Sequence, residues 1–299
     1  MTEVDELRQQ RHRSGKACDP ACPTHGPSKP IEGDVWSLQR FIEAQDENDT
    51  FDRAQAELQS GRKSSHWMWF VFPQLHGLVE NPSVSTQRYA IRSLAEAEAF
   101  VSHPVLRERY KLVCEALLSH PRTKIQQILG SVDAQKCHSS LTLFLFVSPY
   151  WGLTKDPLHV FFEGRSDMKS LRRIVQEFWR TDSQPEGAQA EGKSKFDNHL
   201  VLQGERKGDV WLSLSCEIDS KGDFLIQGHD IGDSEYEWVT SVKAKDVPRL
   251  IEFLGKPGDT DLMAILNRDW KPVKGANLEK LIKMSDIPSN FWNWGSFPS

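Results

Sequence analysis

The sequence predicts an all-helical N-terminal domain followed by a small α+β domain, an antiparallel sheet with helices on one face. Three observations carry this. Between Asp34 and Arg180 apolar residues recur at three- and four-residue steps, the period of an amphipathic helix. From His199 to Val242 the period falls to two, with Gly-containing turns between the runs, as in a meander of strands. Separating these stretches, Thr181 to Lys195 is small, polar and Gly-containing, the composition of a flexible linker. A chain of 299 residues is long enough for two cores. The expected division is a disordered tail over 1–33, an all-α domain over 34–180, a linker over 181–195 and an α+β domain over 196–299.

Each element has its own local reason. The tail mixes Pro20, Pro23, Pro27 and Pro30 with charges and offers almost nothing to bury. Asp34 is placed to cap a helix carrying Leu38, Phe41, Ile42 and Gln45, and Phe51, Ala54 and Leu58 repeat that spacing before Ser60-Gly61 stops it. Ser93 and Glu96 form a capping box that opens a helix through Val101. His103-Pro104 starts the next, with Leu106, Arg109, Tyr110, Val113 and Leu117 along one side. Thr123 to Gln126 reads as a second capping box, closed by Gly130, and Asp133 as the cap of a helix through Phe144 and Leu145 that Pro149 ends. Pro157–Phe162 and Asp167–Trp179 complete the helical set.

In the second part, His199–Gln203, Val210–Ile218, Phe224–Gly228 and Glu235–Val242 read as strands. Leu212, Leu214, Cys216 and Ile218 alternate with Trp211, Ser213, Ser215 and Glu217, so one face is expected to be buried. Helices follow from Asp246 to Leu254, from Asp261 to Leu266 and from a cap at Asn277 to Met284, before an aromatic end at Phe291–Trp294.

Composition excludes several classes of function. A net charge of -5 argues against bulk nucleic-acid binding, which needs a clustered cationic surplus. No run approaches the ~20 apolar residues of a membrane span, and the N-terminus is polar and charged, so a cytoplasmic location is expected. Five cysteines spread over the chain read as reduced thiols. Cys18, Cys22 and His25 could offer ligands to a soft metal, but their spacing matches no common finger and the tail has no apolar residues to fold around an ion. No metal or cofactor is therefore expected. A Gly-rich phosphate loop, a His-Glu-x-x-His helix and a nucleophile elbow are all missing from the sequence.

The densest chemistry lies in Gly61-Arg62-Lys63-Ser64-Ser65-His66-Trp67-Met68-Trp69-Phe70-Val71-Phe72-Pro73-Gln74. If residues 65–72 are helical with Ser64 or Ser65 as N-cap, the first-turn amides face outward beside Arg62 and Lys63, an arrangement that binds phosphate or carboxylate. Trp67 or Trp69 could stack on a base or sugar, although an aromatic run of this kind equally suits a core. Lys136, Ser139 and Ser140 lie at helical spacing and could point into the same cleft. Gln74, Tyr89 and His103 are further polar residues among apolar segments, and His66 is the candidate proton carrier.

These motifs resemble a bacterial family catalogued only as domain of unknown function 1810. The resemblance rests on Leu38-Gln39-Arg40-Phe41, the run from Gly61 to Gln74, Gly77-Leu78 and Arg88-Tyr89-Ala90-Ile91. It continues through Glu96-Ala97, His103-Pro104-Val105-Leu106, the Gly130 turn and Lys136 with Ser139-Ser140-Leu141-Thr142-Leu143-Phe144. Members are sometimes labelled calpastatin, a name that belongs to a disordered inhibitor and not to a compact helical pattern. The resemblance implies a mostly helical fold over roughly residues 35–180 and no assigned reaction.

Two functions follow as expectations. In the first, the helical domain binds an anionic small molecule, a nucleotide or an ADP-ribose-like ligand, possessing charge contacts at Arg62, Lys63, Lys136 and Ser140 and turning it over, if at all, as a metal-independent hydrolase or transferase with His66 as acid or base. In the second, the protein is a noncatalytic protein-binding or toxin-immunity module whose α+β domain presents Trp292 and Trp294 to a partner.

Overall fold

The structure, a computed structural model, describes residues 33–148, 152–180, 199–207, 210–231, 235–270 and 275–295. The Cys18, Cys22 and His25 cluster and the 181–195 linker lie outside them. The helical part runs α1 (Gln39–Asp46), α2 (Thr50–Gln59), α3 (Met68–Val71), α4 (Val84–Tyr89), α5 (Leu94–Ser102), α6 (Pro104–Leu118), α7 (Ile125–Leu129), α8 (Ser131–Val147), α9 (Gly152–Phe162) and α10 (Met168–Arg180).

The predicted caps form where local chemistry dictates them. The Asp34 carboxylate accepts the amides of Leu38 and Gln39 at 2.7 and 2.8 Å and starts α1. Ser93 Oγ accepts the Glu96 amide while the Glu96 carboxylate accepts the Arg92 amide at 2.8 Å, so the reciprocal cap closes as expected. Other boundaries differ. Thr123 does not cap α7; the start moves one residue on, with the Lys124 amide donating to Gln127 Oε1 at 3.2 Å. Asp133 lies in the first turn of α8 and not at its cap, because the left-handed Gly130 already ends α7 and admits α8 at Ser131. Helix α9 begins at Gly152 and carries Pro157 inside it. Helix α4, capped by Ser83 Oγ on the Thr86 amide, has no buried residue and therefore no apolar period to announce it.

Helix α8 is the core of this part. Its C-terminal half buries residues on every side, among them Ser140, Leu141, Leu143 and Phe144, which is the pattern of an enclosed helix. Phe144 stacks on Phe100 at 5.0 Å and meets Tyr110 edge-on at 4.8 Å. Phe41 and Phe72 extend the cluster through Phe100 and Tyr110.

The sheet part comprises β1 (His199–Lys207), β2 (Val210–Ile218), β3 (Phe224–Ile231) and β4 (Glu235–Val242), then α11 (Val247–Leu254), α12 (Leu262–Asp269), α13 (Gly275–Met284) and β5 (Ser289–Gly295). The strands pair antiparallel in the order β1-β2-β3-β4-β5. The aromatic end is thus a fifth strand, paired from Tyr236↔Gly295 to Val242↔Ser289. It was illegible because it joins β4 across three intervening helices. Asn277 lies inside α13, which starts at Gly275.

Leu214, Cys216, Phe224 and Ile226 are buried and share one face, as the alternation predicts. On that face Gly228 stands opposite Trp238, and a Cβ at position 228 would lie 2.0 Å from the indole. Glu279 of α13 ties the helix to the sheet, accepting from Thr240 Oγ1 at 2.6 Å and Trp238 Nε1 at 3.2 Å. The helical and sheet parts touch: Trp179 Nε1 donates to the Leu254 carbonyl at 3.0 Å, and Phe178 packs on the buried Trp270 at 5.0 Å between ring centroids. Among the described residues no helix is long and apolar enough to cross a membrane.

Candidate functional site

The site begins where α2 ends. Its last turn carries Glu57, and the chain then reverses through Gly61 so that residues 62–67 run back past that side chain. Glu57 Oε2 accepts the amides of Ser64 and Ser65 at 2.8 and 3.1 Å and Trp67 Nε1 at 2.9 Å. Partial burial works to raise its pKa, but the hydrogen bonds from Ser64, Ser65 and Trp67 outweigh that and hold it at about 2.

This overturns the expected helix N-terminus. The Ser64 and Ser65 amides are spent on Glu57 and the Lys63 amide on the Ile128 carbonyl at 2.7 Å, so the segment stays non-helical until Met68, with Trp67 as the cap residue. The amide cradle that would take an external anion is filled by the protein's own carboxylate. Trp67 is buried completely, which removes it as a stacking face, whereas Trp69 stays partly accessible.

The predicted lysines do converge. Asp133 of α8 receives Lys63 Nζ on one oxygen at 2.7 Å and Lys136 Nζ on the other at 2.9 Å. Burial works to raise the Asp133 pKa, and the Lys63 and Lys136 hydrogen bonds more than reverse it, leaving the group below the usual carboxylate value. Lys63 Nζ also donates to the Ser65 carbonyl at 2.7 Å and sits 5.0 Å from the Trp67 ring centroid. Lys136 Nζ lies 4.8 Å from the Trp69 ring centroid. Two ammoniums thus share one carboxylate against two indoles, and Arg62, Ser64 and His66 are exposed in the same segment as Lys63.

The remaining candidates take other partners. Ser139 Oγ donates to Asp167 Oδ2 at 2.9 Å, where Asp167 also caps α10 through the Ser170 amide. Ser140 is buried in the core with its Oγ 3.1 Å from the Tyr110 hydroxyl. Lys136, Ser139 and Ser140 therefore do not point into one cleft: Lys136 lies in the partly exposed N-terminal half of α8, whereas Ser139 and Ser140 lie in its buried C-terminal half and turn to different neighbours. His103 is the cap of α6, its Nδ1 accepting the Leu106 amide at 3.5 Å. Burial lowers its pKa, which favours the neutral ring that capping requires. Tyr89 packs edge-on against Phe70 at 5.1 Å. The Gln74 carbonyl accepts the Ile91 amide at 2.8 Å, and that strand-like contact fixes the chain after α3.

A polar cluster was missed by sequence reasoning. His76 Nε2 lies 3.0 Å from Glu177 Oε1, and Arg173 donates through Nε to the His76 carbonyl at 2.8 Å while pairing with Glu177. Gly77 is required here: its φ is +80° and a Cβ would meet Arg173 Nε at 2.6 Å. Arg173 and Glu177, one helical turn apart, were the available signal, but nothing local links them to His76 about a hundred residues earlier. Among the described residues no group of three His, Cys, Asp or Glu side chains is arranged to hold a metal.

The elements that build this site, from α1 into α10, coincide with a known family. The family described as Protein of unknown function (DUF1810) matches residues 35–174. Over those residues, just under half of its length, the chain is similar to this family. The match takes in the Glu57 and Asp133 centres and stops within α10, so the sheet part lies outside it. Among solved structures, the conserved hypothetical protein Rv1873 from Mycobacterium tuberculosis is 36% identical, over 48% of this chain and 96% of that one, with a TM-score of 0.43. No curated protein matches the chain.

Proposed function

We propose that the DUF1810 part binds a small anionic molecule, a nucleotide or ADP-ribose-like compound, at the surface formed by Lys63, Lys136 and Trp69. One observation carries this reading: Lys63 and Lys136 share the single Asp133 carboxylate at 2.7 and 2.9 Å, so the trio keeps one net positive charge. A ligand phosphate would add acceptors to ammoniums that already face each other, and charge-assisted hydrogen bonds are the strong ones. Trp69 supplies the ring face, and Arg62 adds an exposed cation. His66, exposed and three residues along the chain from Lys63, would serve as acid or base if the ligand is turned over. Ser139, Ser140 and His103 are left to structural duties.

The test is a thermal-shift screen of inorganic phosphate, AMP and ADP-ribose on wild type and Lys136→Met. At a hundredfold excess over Kd a ligand stabilises the native state by about 2.7 kcal/mol. A wild-type shift that is lost in Lys136→Met supports the reading. No shift with any phosphate compound sinks it.

A second reading rests on β5. Phe291 and Trp292 on this edge strand are 47% and 48% exposed, and exposed aromatics on an unpaired edge suit a protein partner. It predicts that Trp292→Ser abolishes partner capture without changing the response to phosphate compounds.

A further inference from the structure

A groove of about 860 Å³ opens between α9, the turn at Gly164–Met168 and α13. Leu145, Leu158, Met168 and Met284 give it apolar walls, and Lys280 enters it from α13. The other charged groups around it come from every side. On α9, Lys155, Asp156 and His159 are exposed at the rim. Arg165 pairs with Glu163, and Asp286 pairs with Arg249 at 3.3 Å. Glu279 is committed to Lys283 at 2.7 Å and to Thr240 and Trp238.

Lys280 differs from these. Its side chain is half-buried, its ammonium lies 4.8 Å from the Phe146 ring centroid, and among the described residues no carboxylate comes within ion-pair distance of it. An ammonium withdrawn from water without a counter-ion is costly. We propose that this groove binds a small amphipathic anion, an aromatic or short alkyl body carrying one carboxylate, sulfonate or phosphate group, with Lys280 as the counter-ion. The site is distinct from the Lys63–Asp133–Lys136 surface and does not depend on it.

The electrostatics agree with this assignment. Burial brings the Lys280 pKa down to about 8, with Glu98 of α5 acting weakly in the opposite direction. A bound anion favours the ammonium and raises that value again. By linkage, affinity for the anion is full below about pH 8 and falls as the pH rises above it, and binding near that pH takes up protons.

The experiment uses the full chain and two fluorescent probes of similar shape, the sulfonate 8-anilinonaphthalene-1-sulfonate and the uncharged N-phenyl-1-naphthylamine. Near-UV circular dichroism verifies the fold at each pH. The sulfonate should bind saturably at about pH 7 and about tenfold or more weakly at about pH 9.5, because one proton is linked to binding. The uncharged probe should bind equally at both. Lys280→Met should lose the sulfonate and keep the uncharged probe. Lys280→Arg, charged at both pH values, should hold the sulfonate without pH dependence, and it decides the matter if Lys280→Met does not fold. Lys136→Met, whose side chain lies outside this groove, should bind both probes as the wild type does. The inference is overturned if the sulfonate binds with no pH dependence in wild type, if Lys280→Met binds it as wild type does, if Lys280→Arg keeps the wild-type pH profile, or if both probes weaken together. Loss of the sulfonate in Lys136→Met would also overturn it, while leaving the phosphate-site reading intact.

Discussion

Replacing Glu57 by Gln removes the charge that organises residues 64–67 while keeping the side-chain shape. In the wild type one oxygen accepts from the Ser64 and Ser65 amides and from Trp67 Nε1. A pKa held at about 2 instead of 4.5 sets an upper bound of about 3 kcal/mol on the stabilisation. The carboxylate is partly hydrated, and screening reduces this to roughly 1–2 kcal/mol at neutral pH. The sign follows from the direction of the shift. Because the folded pKa is depressed, the contribution is complete above about pH 4.5 and disappears as the pH falls through about 2. Urea unfolding of wild type and Glu57→Gln, followed by tryptophan fluorescence at several pH values, reads the difference directly. The variant should be less stable by roughly 1–2 kcal/mol at neutral pH, with the two curves converging towards pH 2. A difference that is constant with pH would refute the argument, since it would mean that shape and not charge holds the segment.

Other consequences can be measured on the same footing. Asp133→Asn leaves Lys63 and Lys136 facing each other without a counter-charge and should cost about 2–3 kcal/mol in urea unfolding, with the penalty shrinking in acid as the wild-type carboxylate protonates. Gly228→Ala forces a methyl against the Trp238 ring and should lower stability by roughly 1–3 kcal/mol, with much of the loss recovered by adding Trp238→Leu. Ser93→Ala removes the acceptor for the Glu96 amide and should cost about 1 kcal/mol in thermal unfolding. Cys114 and Cys137 are buried and burial raises both thiol pKa values, so with Cys216, also buried, they should resist thiol reagents in the native protein and react on denaturation.

What could be read from the sequence was whatever short-range chemistry specifies. The Ser93–Glu96 cap, the Phe41 and Phe51 faces and the Leu214–Cys216 alternation each depend on neighbours within a turn or a pleat. The meander was legible because its turns are tight and its strands successive, whereas β5 reaches β4 only after three helices. The candidate site divides in the same way. The meeting of Lys63 with Lys136 was expected from a basic entry beside the aromatic run and a lysine with two serines on one face of a later helix, and the structure brings both lysines to Asp133. The carboxylates that govern them were not legible. Glu57 carries no local signal of its role, because only the reversal through Gly61 brings the Ser64 and Ser65 amides to it. Asp133 looked like a cap because acidic residues favour first turns. Ser139 and Ser140 shared a predicted face, but in the buried half of α8 adjacent positions contact different neighbours, here Asp167 and Tyr110.

The charge surplus at Lys63, Asp133 and Lys136 is tested directly by isothermal titration of ADP-ribose into wild type and Lys136→Met. Wild type should bind one equivalent with an affinity that falls as salt rises. Removing the ammonium that pairs with Asp133 at 2.9 Å should weaken binding by about tenfold or more, the value of one charge-assisted hydrogen bond. Equal affinity in the two proteins, or no binding to wild type at millimolar ligand, would contradict the claim.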